Sequence, residues 1–293
     1  MAKKIGVIID FLNDKYERQL NAAAARYGYE IEYFPSSAAA VGNVDDCEIL
    51  YGHCSQKVIR SAKSLKWYCC CWAGVDRFCD ESLYQNPDCR LTNSSGAYGT
   101  TISEHLIMVC LMLLRRQPEY TEIIRAGGWE TLPGGIRSLH GARITVLGTG
   151  DIGTEFARRA QAFHPACITG VRRTVKPSDP AFTSIHAIAE LDSVLPETDL
   201  LVMALPSTAE TVGILSRERI ALLPDSAFVV NVGRGTAIDQ EALCDALNAG
   251  RLAGAALDVV VPEPLPADHP LRRAKNLLLT PHVAGNMTLG YTC

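Results

Sequence analysis

The residues that most plainly announce chemistry are three glycines, Gly148, Gly150 and Gly153, in the segment GTGDIG. The segment directly follows the apolar run ARITVL and directly precedes a helix-periodic stretch carrying Ile152, Phe156, Ala157 and Ala160. In such a setting the first glycine permits a tight turn, the second lets backbone approach a pyrophosphate, and the third lets the helix pack closely on the strand. The phosphate then meets the positive end of the helix. Glycine turns also join strand to helix for packing alone, but a full βαβ frame favours a dinucleotide. About 20 residues on, these sites usually carry an acid for the ribose hydroxyls. Here the next apolar strand ends in Val171, Arg172, Arg173. Two guanidinium groups suit a phosphate in charge and in fork geometry, which points to NADP as the preferred cofactor and NAD as the second choice. The plainer reading is two solvated surface arginines.

A loop of this kind must be held by a parallel sheet, and the chain carries the pattern for one. Short runs rich in Val and Ile alternate with helix-length periodic segments, which is the pattern of an α/β protein. Strands are expected at residues 4–9, 31–34, 48–51 and 65–72, with a helix at 14–26, forming a first lobe. A turn-rich passage at 91–99 marks the crossing to a second lobe, and one long helix is expected over 102–125. Further strands follow at 142–147, 167–171, 200–204, 227–232, 253–257 and 277–279. Helices are expected at 152–163 and starting near Leu191, Ser216 and Asp239. Asp239 suits an N-cap, because its carboxylate can accept from free first-turn N–H groups. A chain of 293 residues also exceeds the usual size of one core. The expected division is residues 1–96, 97–285 carrying the dinucleotide signature, and a short terminal segment 286–293.

Composition narrows the partners. Apolar residues make up 47% and charged residues 20%, with a net charge of −4. No basic cluster is longer than a pair, so nucleic acid is not an expected partner. The longest apolar stretch, 106–114, falls well short of the ~18 residues needed to span a bilayer, so no membrane role is expected. The start, MAKKIGVIID, has too short an apolar run for a signal-peptide core and reads as a first strand. Eleven scattered cysteines without an export signal fit a reducing cytoplasm. No Cys or His spacing suits a tetrahedral metal site, so no metal is expected.

Three further segments carry a resemblance: NVGRG from Asn231, ALDVVVPEPLP from Ala256 and LTPHVAG from Leu279. With LHGARITVLGTGDIG, ALPSTAET, LKWYCCCWAGVD and LTNSSGAYGTTISEH, they make the chain similar to the D-isomer-specific 2-hydroxyacid dehydrogenases over nearly its whole length. The resemblance is to their glyoxylate/hydroxypyruvate reductase-like, NADP-type members. It implies a flavodoxin-like substrate domain over 1–96, a Rossmann domain over 97–285, parallel sheets in both, and a site in the cleft between them. It also implies a homodimer and a shortened return segment at 286–293, since relatives continue through a helix that returns to the first lobe.

The resemblance further implies that Arg234, Glu263 and His282 form the catalytic set and that the N–H groups of Gly74 and Val75 bind the substrate carboxylate. Gly148, Gly150, Asp151, Ile152, Gly153, Arg172, Arg173, Leu205, Pro206 and Asp258 would line the cofactor. These residue types fit hydride transfer between NAD(P)H and a small 2-keto acid. Hydride arriving at the keto carbon leaves negative charge on the oxygen, and a histidine can supply the proton near neutral pH. Glu263 would orient the imidazole, and Arg234 would offer paired donors to carboxylate and carbonyl. A lone His after Pro281 would ordinarily be a packing or surface residue. The joint set in the family's order makes it a catalytic candidate. The remaining histidines, His105, His140 and His269 among them, read as packing or surface. Val260 and Val261 depart from the aromatic or acidic residues usual after ALDV. A nucleotide-sensing, corepressor-like binding protein without turnover is the alternative from another class.

Overall fold

The computed structural model describes residues 3–9, 12–175 and 179–286. The chain divides into two compact units, one reaching to Ala97 and the other starting at Tyr98. In the first unit the order is β1 (Lys3–Ile8), α1 (Asp14–Arg26), β2 (Tyr29–Tyr33), α2 (Ser37–Ala40), β3 (Cys47–Gly52), α3 (Gln56–Ser61), β4 (Trp67–Cys70) and β5 (Arg90–Thr92). The helix α1 starts where the sequence places it because the Asn13 side chain accepts from the N–H groups of Lys15 and Tyr16. The strands lie in the order β2-β1-β3-β4-β5, all parallel, the doubly wound arrangement of flavodoxin-like units. Leu50, Val58, Ile59, Tyr68 and Phe78 fill its core.

The second unit opens with α4 (Gly99–Leu114) and α5 (Gln117–Arg125), then runs β6 (Arg143–Leu147), α6 (Asp151–Ala160), β7 (Cys167–Arg172), β8 (Ser184–Ala187), α7 (Leu191–Val194), β9 (Leu200–Met203), α8 (Arg217–Leu222), β10 (Phe228–Asn231), α9 (Gln240–Asn248), β11 (Gly254–Leu257) and β12 (Leu277–Leu279). Its parallel sheet has the order β12-β11-β10-β9-β6-β7-β8. Counted from β6, this is the Rossmann order with one added strand. The chain winds first to one side of β6 and then to the other, so a crevice opens at the carboxyl ends of β6 and β9. The buried strands read as unbroken apolar runs because helices cover both faces.

The expected single helix over 102–125 is two helices. Arg116 between them adopts a left-handed φ of 56°. The cause is Pro118, which has no N–H to give to the carbonyl of Leu114. That carbonyl accepts instead from the Arg137 N–H at 2.8 Å. The Arg116 guanidinium closes the break through Glu119 and the carbonyl of Pro133. The helix expected over 152–163 is α6 followed by a 3-10 turn, Gln161–Phe163. The strand β8 carries no sequence signal, being a short, half-buried edge strand. The Asp239 side chain caps α9 as expected, accepting from Ala242 N–H. Except for Asn286, the segment 286–293 lies outside the described residues.

The buried cysteines, Cys47, Cys54, Cys70, Cys110 and Cys244, serve as small apolar side chains. Burial pushes the Cys47 thiol up to about 11 and the Cys54 thiol up to about 12, and it raises Cys71 and Cys110 as well. None of these four carries thiolate character near neutral pH. Among the described residues no group of His, Cys, Asp or Glu could hold a metal ion, and no helix is long and apolar enough to cross a membrane.

Candidate active site

The carboxyl ends of β6, β9 and β10 converge because glycines let their backbones touch. A Cβ on Gly148, whose φ is +104°, would lie 2.7 Å from the Ala204 carbonyl oxygen. A Cβ on Gly233 would lie 2.5 Å from the carbonyl oxygen of Leu205. The Ala204–Leu205 backbone is thus held between two glycines, with Pro206 continuing the chain. A Cβ on Gly153 would fall 2.0 Å from the Gly148 oxygen, so only glycine lets α6 start this close to the loop. Gly150 is different, since a Cβ there would meet nothing within 4 Å.

That open space faces an uncapped helix start. Gly150 is the N-cap of α6 and gives it no side-chain hydrogen bond. Ile152 lies within that first turn. The Thr149 hydroxyl, buried beside it, has no hydrogen-bond partner among the described residues. Asp151 lies so close to the first residue of α4 that a Cβ on Gly99 would lie 2.5 Å from its Oδ1. An orphaned hydroxyl, a glycine cradle and unsatisfied first-turn donors fit the pyrophosphate of a dinucleotide. The Gly148 N–H donates to the Val171 carbonyl, which brings the end of β7 alongside this loop. Arg172, at that end, makes no ion pair among the described residues. Arg173 reaches Glu210 at 3.6 Å, with both side chains exposed.

Beyond β10 the chain turns sharply, and Asn231 locks the turn. Its buried amide donates to the Arg234 carbonyl at 2.9 Å and accepts from the Gly233 N–H at 3.0 Å. The Arg234 guanidinium donates to the Gly233 carbonyl at 2.7 Å. The next residue, Gly235, would place a Cβ 2.4 Å from the carbonyl carbon of Val260. The arginine turn and the loop carrying Glu263 therefore pack backbone to backbone.

In that loop Glu263 divides its carboxylate. One oxygen accepts from the Val260 N–H at 3.0 Å, and the other lies 2.8 Å from His282 Nδ1. With Nδ1 engaged by a carboxylate, Nε2 is the ring atom that faces other chemistry. Both side chains are open to solvent, at 53% for His282 and 38% for Glu263. An exposed pair of this kind contributes only about 0–1 kcal/mol to stability.

The His282 backbone is left-handed, at φ 54°, a conformation that must be over-determined by its surroundings. Asp258 does this. Its carbonyl accepts from the His282 N–H at 2.8 Å, and its buried carboxylate accepts from Thr280 Oγ1, Val283 N–H and Ala284 N–H. Behind Thr280 stands His105 on α4, 3.5 Å from the hydroxyl. Burial lowers the His105 pKa, opposed by the Asp258 charge. His140 Nδ1 lies 3.3 Å from the His164 carbonyl, and His269 accepts from the Leu271 N–H.

In the first unit, Gly74 and Val75 follow β4. The turn is held by the Asn93 amide, which donates to the Ala73 carbonyl, and by the Ser94 N–H, which donates to the Trp72 carbonyl. The Gly74 and Val75 N–H groups have no partner among the described residues. The structure thus brings Glu263 to His282 and packs the Arg234 turn against the Glu263 loop. Asn231, Thr280 and Gln240, which brace these segments, were not expected from sequence. Asn231 and Thr280 stood inside quoted motifs, NVGRG and LTPHVAG, that could have signalled them, whereas Gln240 stood in none.

Residues 107–284 match the family model described as D-isomer specific 2-hydroxyacid dehydrogenase, NAD binding domain. The chain is 36% identical over 190 residues to glyoxylate/hydroxypyruvate reductase B of Pectobacterium carotovorum subsp. carotovorum (strain PC1), spanning 62% of this chain and 58% of that protein. The match therefore covers less than two thirds of that relative's length. A D-isomer specific 2-hydroxyacid dehydrogenase family protein from Aeromonas salmonicida subsp. salmonicida A449 superposes with a TM-score of 0.85 at 30% identity, covering 100% of this chain and 91% of that one. An NADPH-dependent glyoxylate/hydroxypyruvate reductase from Sinorhizobium meliloti, in complex with NADP and sulfate, superposes with a TM-score of 0.81 at 26% identity, covering 97% and 89%.

Proposed function

This chain belongs to the D-isomer specific 2-hydroxyacid dehydrogenase family, and from that premise we propose that it reduces a small 2-keto acid to the D-2-hydroxy acid. The observation that carries the proposal is the 2.8 Å contact of Glu263 with His282 Nδ1, which leaves Nε2 to protonate a carbonyl oxygen. The bound nicotinamide supplies the hydride. His282 donates the proton that neutralises the developing alkoxide, and Glu263 fixes the ring and stabilises its charged form. Arg234 offers its fork to the substrate carboxylate and the polarised carbonyl. Gly74 and Val75, whose N–H groups have no partner among the described residues, are the substrate-binding candidates of the first unit. Gly148 to Gly153 would hold the pyrophosphate and Leu205 and Pro206 would line the cofactor, while Asp258 holds the His282 turn. The corepressor-like alternative finds no support in this geometry.

NADPH is the preferred cofactor in this reading, because Arg172 stands where an acid would otherwise receive the ribose hydroxyls and it lacks a competing anion among the described residues. Arg173 is the weaker candidate, being shared with Glu210. One charge-assisted hydrogen bond is worth about 1.5–3 kcal/mol, or roughly ten- to a hundredfold in discrimination. The experiment is a panel of glyoxylate, hydroxypyruvate and bulkier 2-keto acids with both reduced cofactors, on wild type and Arg172→Asp. The expected result is turnover with NADPH favoured and a kcat/KM ratio that moves toward NADH in the variant. No turnover on any acid sinks the enzyme reading, and an unmoved ratio sinks the role of Arg172.

The working form in this reading is a cytoplasmic homodimer. Trp129 is 90% exposed, and Ile124, Ile136 and Met108 are exposed nearby in sequence, on α4, α5 and the loop that follows. These are the exposed apolar side chains that a second copy would cover. Sedimentation is expected to give twice the monomer mass for wild type and a shift toward monomer for Trp129→Glu; a monomeric wild type refutes the dimer.

A further inference from the structure

We propose that Gln240 is a positioning residue for the Glu263–His282 pair. The inference rests on the reading of that pair given above. Gln240 is the first residue of α9, and its side chain clamps one residue of the neighbouring loop through both of its backbone polar groups. Its Nε2 donates to the Val261 carbonyl at 2.6 Å, and its Oε1 accepts from the Val261 N–H at 2.9 Å. The amide orientation follows from chemistry, since the Val261 N–H can only donate and must face the oxygen.

The loop needs this help because it has little of its own. Pro262 and Pro264 flank Glu263 and carry no N–H. Val261 is 43% exposed, so apolar burial does not hold it. Gln240, by contrast, stands on a fixed base. The Asp239 side chain caps α9 through the Ala242 N–H at 2.9 Å, and Leu243 and Leu247 are buried beneath the helix. The adjacent residue of the loop, Val260, gives its N–H to Glu263 Oε1, while Glu263 Oε2 holds His282. Fixing Val261 therefore fixes the donor that sets the carboxylate, and through it the imidazole. Gly235, five residues before Gln240, closes on Val260 from the other side. One segment, Arg234 to Gln240, thus carries the arginine and supplies both supports of the glutamate loop.

The test measures kcat and KM for the keto acid, Kd for NADPH, melting temperature and amide exchange at Val260 and Val261. It uses wild type, Gln240→Ala, Gln240→Glu, Glu263→Gln, the Gln240→Ala/Glu263→Gln double variant, and His282→Ala as control. Small misplacements of a catalytic group cost rate steeply, so Gln240→Ala is expected to lower kcat about tenfold. Cofactor Kd and melting temperature should stay at wild-type values, and exchange at the two valines should quicken. Gln240→Glu, which keeps the acceptor for the Val261 N–H, should recover part of the rate. In the Glu263→Gln background the alanine exchange should cost less than about twofold more, because both changes act through one carboxylate. A full additional loss in that background overturns the proposal, as does an unchanged kcat or a loss that follows melting temperature or cofactor affinity. If His282→Ala turns over at the wild-type rate, the reading of the pair itself falls. If His282→Ala is inactive while Gln240→Ala is normal, only the role of Gln240 falls.

Discussion

Replacing His282 is expected to lower kcat for keto-acid reduction by about 10²-fold or more, the scale of a lost general acid, while NADPH binding persists. Nδ1 is occupied by Glu263 at 2.8 Å, so the ring has one orientation and one remaining nitrogen, and no other histidine shares the Glu263 carboxylate among the described residues. The choice of substitute matters, because the His282 backbone is left-handed at φ 54°. Alanine in that region adds a cost of about 1–2 kcal/mol, whereas asparagine adopts it readily. His282→Asn is therefore the cleaner variant, and it should match His282→Ala in rate while keeping a higher melting temperature. Because the pair is solvent-exposed, its removal costs little stability on its own. Steady-state kinetics with NADPH titration checks this, and rates near wild type in both variants would remove His282 from the chemistry.

Gly235→Ala is expected to cost kcat about 10²-fold as well, without touching a reacting atom. Its Cβ would come within 2.4–2.6 Å of the carbonyl carbon, oxygen and Cα of Val260. These are backbone atoms and cannot swing aside as a flexible side chain would. The clash must push the Val260 peptide away from Glu263, or push Arg234 away from its place, or both. Each displaces a group by a distance comparable with the loss of a hydrogen bond. Cofactor affinity should change little, since the glycine loop after β6 does not depend on this contact. The measurement is kcat, KM and NADPH Kd for Gly235→Ala beside wild type. A variant with normal kcat would mean that the loop shifts as a unit without disturbing its side chains.

Much of this was legible in the residues. The three glycines after ARITVL marked the turn after β6 because strand, loop and helix are contiguous in the chain, and their steric demands are local. The bounds of α1, 14–26, were readable for the same reason, and so was the Asp239 cap of α9. Arg234, Glu263 and His282 were candidates as residue types within short motifs. Pro118, too, was present as a helix breaker, yet periodicity suggested one helix running through it over 102–125, whereas α4 ends at Leu114. The apolar residues on either side, Leu113 and Leu114 before it and Ile123 and Ile124 after it, hid the break, and only the Arg137 N–H on the Leu114 carbonyl shows what replaced the missing bond.

The sequence by itself determined the α/β alternation, the glycine loop and the identity of the reactive groups, since each depends on neighbours within a few residues. Tertiary structure alone decided the strand order that opens the crevice beside β6, the pairing of Glu263 with His282, the fastening of the His282 turn by Asp258 and the clamp from Gln240. The physical reason is range. The bonds from Val283 and Ala284 to Asp258 span 25 and 26 residues, and the Gln240 clamp on Val261 spans 21. Such bonds leave no periodic trace in hydropathy, because a polar side chain that braces a distant loop reads along the chain like one that faces water.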